Sequence, residues 1–386
     1  GYSEGKVVVV IALEFDVDRL INLVFDGEFE AFTPWWGGNE LGYTFYPKPH
    51  YPEPKEIIGK TKWAIRAVCG KVPKELGEGG EMASRVKVFV SVVSEGKRYF
   101  DFPPEFNEIA KYVRGKRTDV LNAMREQGYS LVFKGYRANV SLDKRFNGLY
   151  TLLTIPRFYL RAMGSNFQEM FNFQPMRPGF RIRVKVISRD NKVAGLFVKF
   201  MLATLKYLGI GSASNRGFGR FKLSKLYYSA FDLDDDVFKY RLVRKPIKGL
   251  IRGRKFEAVG VEGVLSAIGL ATLKQSWKSF CGNFMASGRN YHTWVLGLPR
   301  GVKGKGYISS SARRQSYIVI SPTEDLDVLL IPFYAEDYRK IFHQDHGRVE
   351  VINLDIQTPN CSTVKGSGKV KDYIDTALDW IETLLR

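Results

Sequence analysis

Cysteine and histidine are scarce in this chain, and it has no long apolar run. Only Cys69, Cys281 and Cys361 are cysteines among 386 residues. An odd number, so widely scattered, offers neither a CxxC zinc pair nor a disulfide framework and points to a reducing cytoplasm. The longest apolar run, Val7 to Leu13, ends at Glu14 and is far too short to span a bilayer. It reads as a strand with no signal peptide before it. Polylysine and low-complexity tails are also missing, so the excess of positive charge is spread over folded segments.

That excess is large: the formal net charge is +19, with 59 basic against 40 acidic residues. A polyanionic partner follows from it, or else a membrane surface or a set of acidic neighbouring subunits. The length suits two domains, and an apolar fraction of 45% is ample for packed cores.

One stretch, Gly209 to Phe221, stands out. Glycines fall at Gly209, Gly211, Gly217 and Gly219, no acid lies between them, and Arg216 and Arg220 frame the second pair. Glycines tolerate positive φ and let backbone approach a ligand, so such a loop can offer N–H groups and arginines to phosphates. A helix C-cap followed by a turn is the plainer reading. The Gly-Lys-Ser/Thr ending of a P-loop is absent, and what precedes the loop is a helix rather than a strand. Lys192 to Leu208 carries Leu196, Phe197, Phe200, Met201, Leu205 and Leu208 at helical spacing, with Lys192, Lys199 and Lys206 on another side. Phe221 to Tyr228 reads as a strand.

A helix, a loop of the form Gly-x-Gly…Arg-Gly-x-Gly and a strand resemble the glycine-rich loop of the RAMP superfamily, the RNA-binding proteins of CRISPR systems. Arg216-Gly217-Phe218-Gly219 also matches the first half of the RNP1 pattern of RRM domains, though Arg220 replaces an apolar position there. Two further segments sharpen the resemblance: Thr33-Pro34-Trp35-Trp36-Gly37-Gly38 after an early strand, and the helix Ile57 to Cys69, entered through Glu56-Ile57-Ile58-Gly59-Lys60-Thr61-Lys62-Trp63-Ala64-Ile65-Arg66. Together they are similar to the first RAMP subunit of the type III-B Cmr effector complex, although Lys55 or Glu56 stands where that family has an arginine. Leu296-Gly297-Leu298-Pro299-Arg300 and Arg313-Arg314-Gln315-Ser316 resemble its second half.

The helix has two faces, Ile57, Thr61, Ile65 and Val68 on one and Gly59, Lys62, Trp63 and Arg66 on the other. A tryptophan between cations suits base stacking beside a phosphate, or packs beneath a loop. Asn22 to Phe32, Ala83 to Val93 and Phe180 to Ser188 read as strands, the last two with cationic outer faces. Between the last two, Asn107 to Gly128 reads as a helix and Tyr129 to Leu142 as a strand or hairpin. Further on, Glu262 to Phe280 reads as a helix, Val349 to Gln357 as a strand, and Val370 to Leu385 as an amphipathic helix with an acidic ridge. Asp232, Asp234, Asp235 and Asp236 read as a solvated interdomain turn rather than a metal site.

Catalysis has few candidates among four histidines. His292 lies beside Arg289 and Tyr291, and a metal-independent ribonuclease would use it as general base. His343 and His346 have two-ligand spacing without an identifiable further ligand. The expected fold is α+β: two tandem ferredoxin-like (βαββαβ, RRM-like) domains with insertions, 1–230 and 231–386. The expected RNA-binding residues are Lys60, Lys62, Trp63, Arg66, Gly209, Gly211, Arg216, Gly217, Gly219, Arg220, Arg289, His292, Arg300, Arg313 and Arg314, with Trp36 a further stacking candidate. The resemblance implies a cytoplasmic, non-catalytic subunit without cofactor or metal. Its partners would be guide or target RNA and other Cmr RAMP subunits, with no membrane.

Overall fold

The computed structural model describes residues 22–38, 42–77, 84–101, 130–134, 137–141, 147–162, 165, 167–251, 254–273, 276–277, 293–297, 300–302, 305–309, 315–334, 341–351, 355–357, 363–365 and 369–386. The strand expected at the Val7 to Leu13 run and the helix expected at Asn107 to Gly128 lie outside them. The chain forms two compact units, and no single cut near residue 230 separates them. The first unit comprises Gly1–Lys97, Pro175–Ser212 and Gly219–Phe238; the second comprises Arg98–Gln174, Ala213–Phe218 and Lys239–Arg386.

In the first unit the elements run β1 (Leu23–Ala31), α1 (Pro54–Cys69), β2 (Val86–Ser94), β3 (Arg181–Ser188), α2 (Asn191–Ala203) and β4 (Phe221–Ser229). The sheet order is β2-β3-β1-β4, and each adjacent pair is antiparallel. That order and alternation of strands and helices define the ferredoxin-like fold. The period-two pattern decides which face each strand buries. Ile182, Val184 and Val186 of β3 are fully buried, as are Phe25 and Phe29 of β1, while Arg181, Arg183 and Lys185 turn the other way.

Helix α1 begins with Pro54, whose missing N–H costs nothing in the first turn, and Glu56 Oε1 accepts a hydrogen bond from the Glu53 amide. It stops at Gly70 in the left-handed conformation, with the Gly70 N–H donating to the Arg66 carbonyl. Its buried residues are Ile57, Thr61, Ala64 and Ile65. Val68, expected on that side, is exposed. α2 is capped by Asp190, whose side chain accepts from the Val193 amide, and it ends in a π-type turn, Thr204–Leu208. Asp232, Asp234 and Asp236 are exposed, as a solvated turn would be, and Asp234 and the half-buried Asp235 also bind lysines of this helix. Lys199 reaches Asp234 at 3.2 Å, and Lys206 reaches Asp235 at 3.2 Å.

The second unit repeats part of the scheme. β5 (Arg241–Val243), α3 (Gly260–Ala271), β6 (Ile318–Pro322), β7 (Val328–Pro332) and α4 (Val370–Leu385) follow in sequence, and the antiparallel sheet order is β6-β7-β5. These are the first five elements of the same fold in the same spatial order. The rest includes a hairpin of Ser130–Lys134 with Arg137–Ser141 and a separate four-stranded sheet built from residues 300–302, 305–309, 341–345 and 348–351. The core joins Val264 and Ile268 of α3, Ile318 and Ile320 of β6, and Ile374, Leu378 and Ile381 of α4. Helix α3 ends at Ala271, short of the expected Phe280, where the Thr272 hydroxyl donates to the Ile268 carbonyl. The acidic ridge of α4 is partly taken up within the unit: Arg241 Nη1 lies 2.6 Å from Asp379 and 3.3 Å from Glu382.

Candidate nucleic-acid interface

Two motifs far apart in sequence are laced together in the first unit. The Gly219 amide donates to the Pro34 carbonyl at 2.8 Å, the Ser212 amide to the Trp36 carbonyl at 2.7 Å, and the Phe32 amide to the Arg220 carbonyl at 3.0 Å. The Arg220 amide donates to Thr33 Oγ1 at 2.9 Å. The residues 33–36 thus form the bed on which the glycine-rich loop rests.

That bed explains two of the glycines. A Cβ on Gly219 would stand 1.9 Å from the Ile210 carbonyl oxygen, and one on Gly211 would stand 2.5 Å from the Trp35 ring. Both also hold positive φ, +76° and +85°. Most loop amides are consumed internally: those of Gly209 and Ile210 donate to the carbonyls of Thr204 and Gly219. Gly211, exposed, is among the loop residues whose N–H finds no acceptor among the described residues.

Lys60 stands on α1 and Arg220 lies at the loop's end, fully buried, with Nη2 donating to the Tyr207 carbonyl at 3.1 Å. Burial pushes the Lys60 ammonium down to about 8, and the nearby Arg220 charge adds to that. Burial likewise lowers Arg220, to about 9, so both remain cationic at neutral pH. The Lys60 ammonium also lies 4.9 Å from the centre of the Trp63 ring. A desolvated lysine beside a second, buried cation would be relieved by an anion.

The other expected residues divide. Trp63 is half-buried and Arg66 exposed on the same helix, while the Lys62 ammonium donates to the Gly77 carbonyl. Trp36 is 2% exposed, so its ring has no face to offer a base; it belongs to the bed under the loop. Arg220 is sealed in, so its charge acts through Lys60 rather than by open contact. Arg216 and Gly217 belong to the second unit, where Arg216 Nη2 donates to the Leu296 carbonyl at 3.1 Å and Gly217 packs against Leu265 and Pro322. Arg289, His292, Arg313 and Arg314 lie outside the described residues, and Arg300 opens a strand. His346 sits in an exposed turn at φ 47°. Sequence reasoning missed Thr33 as the loop's anchor, although it singled out the Thr-Pro motif.

The first unit is therefore a ferredoxin-like domain with its glycine loop seated on a Thr-Pro-Trp-Trp-Gly-Gly bed. No protein-family model matches the chain, and no curated protein does. Among solved structures, the chain is similar to one in a type III-B Cmr-β complex bound to cognate target RNA and AMPPnP in the presence of ssDNA. That match has 11% identity and a TM-score of 0.49, covering 94% of this chain and 99% of that one. A second, from Cmr-β bound to cognate target RNA, has 12% identity and a TM-score of 0.44, covering 94% and 99%. Cmr1 from Pyrococcus furiosus, in its apo form, has 15% identity and a TM-score of 0.37, covering 93% and 95%. No described helix is long and apolar enough to cross a membrane.

Proposed function

We propose that this chain is a RAMP-type subunit of a cytoplasmic type III-B CRISPR effector, and that it holds single-stranded RNA, guide or target, without cutting it. The observation that carries the reading is the Lys60–Arg220 pair, two desolvated cations placed near each other beside the exposed face of α1. In the reading, Lys60 and Arg66 meet phosphates, Trp63 stacks on a base, and the Gly211 amide adds a neutral donor. Arg216, Arg289, His292, Arg300, Arg313 and Arg314 are further candidates for RNA contact. Base pairing between guide and target supplies sequence recognition, and neighbouring Cmr subunits complete the groove.

The test is binding of the full chain to end-labelled single-stranded RNA across a salt series, with and without EDTA, followed by a denaturing gel. Salt-sensitive binding with intact RNA is expected, its slope about 0.7 per phosphate contact. Loss of salt sensitivity would remove the RNA-binding reading. Defined RNA fragments that persist in EDTA would replace it with a metal-independent endoribonuclease using His292.

A further inference from the structure

The sheet face of the first unit turned away from α1 and α2 carries a second pattern, independent of the glycine loop. The central strand β1 puts Asp26 and Glu28 there, which by itself would repel RNA. Both are buried, at 5% and 4% exposure, beneath groups that neutralise or bind them. Asp26 is held by Arg183 through two bonds, Nε to Oδ1 at 2.8 Å and Nη2 to Oδ2 at 2.7 Å. Glu28 accepts from the Tyr227 hydroxyl at 2.6 Å and lies 3.8 Å from Arg181. Arg183 in turn lies flat enough to bring its guanidinium carbon 4.0 Å from the Tyr227 ring centre. Asp26 and Glu28 are thus the floor of this face; Glu30, half-buried on the same face, is paired with Lys222 at 3.4 Å, and the remaining exposed atoms come from other residues.

Those residues are lysines and aromatics. Lys87, Lys185 and Lys225 are exposed and have no carboxylate partner among the described residues. Phe89 is 44% exposed and Tyr228 47%. The register places Phe89, Lys185, Asp26 and Tyr228 in one row across all four strands. The next row is Ser91, Arg183, Glu28 and Lys225. Three interstrand gaps separate Phe89 from Tyr228, roughly 14 Å. A chain crossing the sheet would therefore meet a ring at each edge and a cation between them. Stacking faces interleaved with lysines that have no carboxylate partner among the described residues, Lys225 resting 4.8 Å from the Tyr227 ring centre, suit single-stranded nucleic acid, whose bases stack and whose phosphates take the ammonium groups.

We infer that this face is a second binding surface for single-stranded RNA, separate from the glycine loop and the α1 face. The lysines bind phosphates, Phe89 and Tyr228 stack bases, and the Arg183–Asp26 pair keeps the floor neutral and flat. An acidic protein is the competing occupant, but it would leave the two edge rings without a stacking role.

The experiment uses the full chain with single-stranded RNA carrying photoreactive 4-thiouridine, peptide mapping of the crosslinks, and titrations of three variants. Crosslinks are expected on the peptides holding Phe89 and Tyr228, besides any on α1. Phe89→Ala with Tyr228→Ala should weaken binding by at least about fivefold per ring. Lys87→Gln with Lys185→Gln and Lys225→Gln should lower the salt slope by about 2. Lys60→Met, the control, should weaken binding while leaving the sheet crosslinks in place. Crosslinks confined to α1 and the glycine loop, with an unchanged slope in the lysine variant, would overturn the inference. So would a lysine variant that binds RNA normally yet loses an acidic protein partner. Failure of the Lys60→Met control alone would count against the glycine-loop reading and leave the sheet surface standing.

Discussion

The backbone amide of Arg220 donates to the side-chain hydroxyl of Thr33 across 2.9 Å, and both residues are wholly buried. A hydroxyl from the end of β1 thereby fixes the point where the glycine loop becomes β4. Thr33→Val keeps the volume but removes the acceptor, leaving a buried N–H unpaired. It should destabilise the chain by about 1–3 kcal/mol in denaturant unfolding, whereas Thr33→Ser should cost less than half of that.

Gly219→Ala forces a methyl group to within 1.9 Å of the Ile210 carbonyl oxygen at a left-handed φ. The backbone on both sides must move, so a loss of about 3 kcal/mol or more in stability is expected, together with loss of RNA binding. Gly59→Ala makes the contrast. Gly59 lies inside α1 with nothing within 4 Å of an added Cβ, so alanine should stabilise the fold by about 0.5–1 kcal/mol. A fall in RNA affinity in that more stable variant would mark close approach of RNA to α1.

Lys60 links RNA binding to pH. The fold lowers its pKa from 10.5 to about 8, while a phosphate selects the charged form. Affinity should therefore hold at neutral pH and fall as pH rises through about 8, by up to tenfold per pH unit for one proton. The sign for stability is opposite: the free chain favours the neutral amine, so stability rises between about 8 and 10.5. Lys60→Arg should keep the affinity flat to higher pH, and Lys60→Met should be flat but weak. Filter binding between pH 6.5 and 9.5 reads all three.

Glu56 has a raised pKa, from 4.5 to about 7, chiefly because burial disfavours its charge and Glu53 adds repulsion. Between those two values the folded state holds a proton that the unfolded state has released. Stability should thus fall as pH rises from 4.5 to 7, by about 1–2 kcal/mol once partial exposure is allowed for. Glu56→Gln keeps an acceptor for the Glu53 amide and cannot ionise. Urea titrations at pH 5 and pH 8 should show that part of the slope vanish.

How much of this was legible in the residues follows from the range of each interaction. Period-two alternation in β2 and β3, the apolar stripe of α2, and the ends of α4 at Val370 and Leu385 are local patterns, and they fixed these elements and the α+β class. The glycines, the net charge of +19 and the Thr-Pro-x-x-Gly-Gly run marked the candidate site. Exposure was harder to read. Trp36 and Arg220 look like surface groups in a polar, glycine-rich context, yet both are buried, because the loop and its bed close over them. Asp235 looks like solvated charge until Lys206, 29 positions earlier, meets it at 3.2 Å.

The sequence by itself determined the kind of chemistry present: a basic, cysteine-poor chain with a glycine loop and no nucleotide-binding signature. Tertiary structure decided which groups share a space. Thr33 meets Arg220, Lys60 lies near the Arg220 charge, and Asp26 lies under Arg183 so that lysines and rings make the surface. The physical reason is that charge, hydrogen bonding and stacking depend on separations of a few ångströms. Residues 26 and 183, or 33 and 220, reach such separations only when the antiparallel sheet brings their strands side by side.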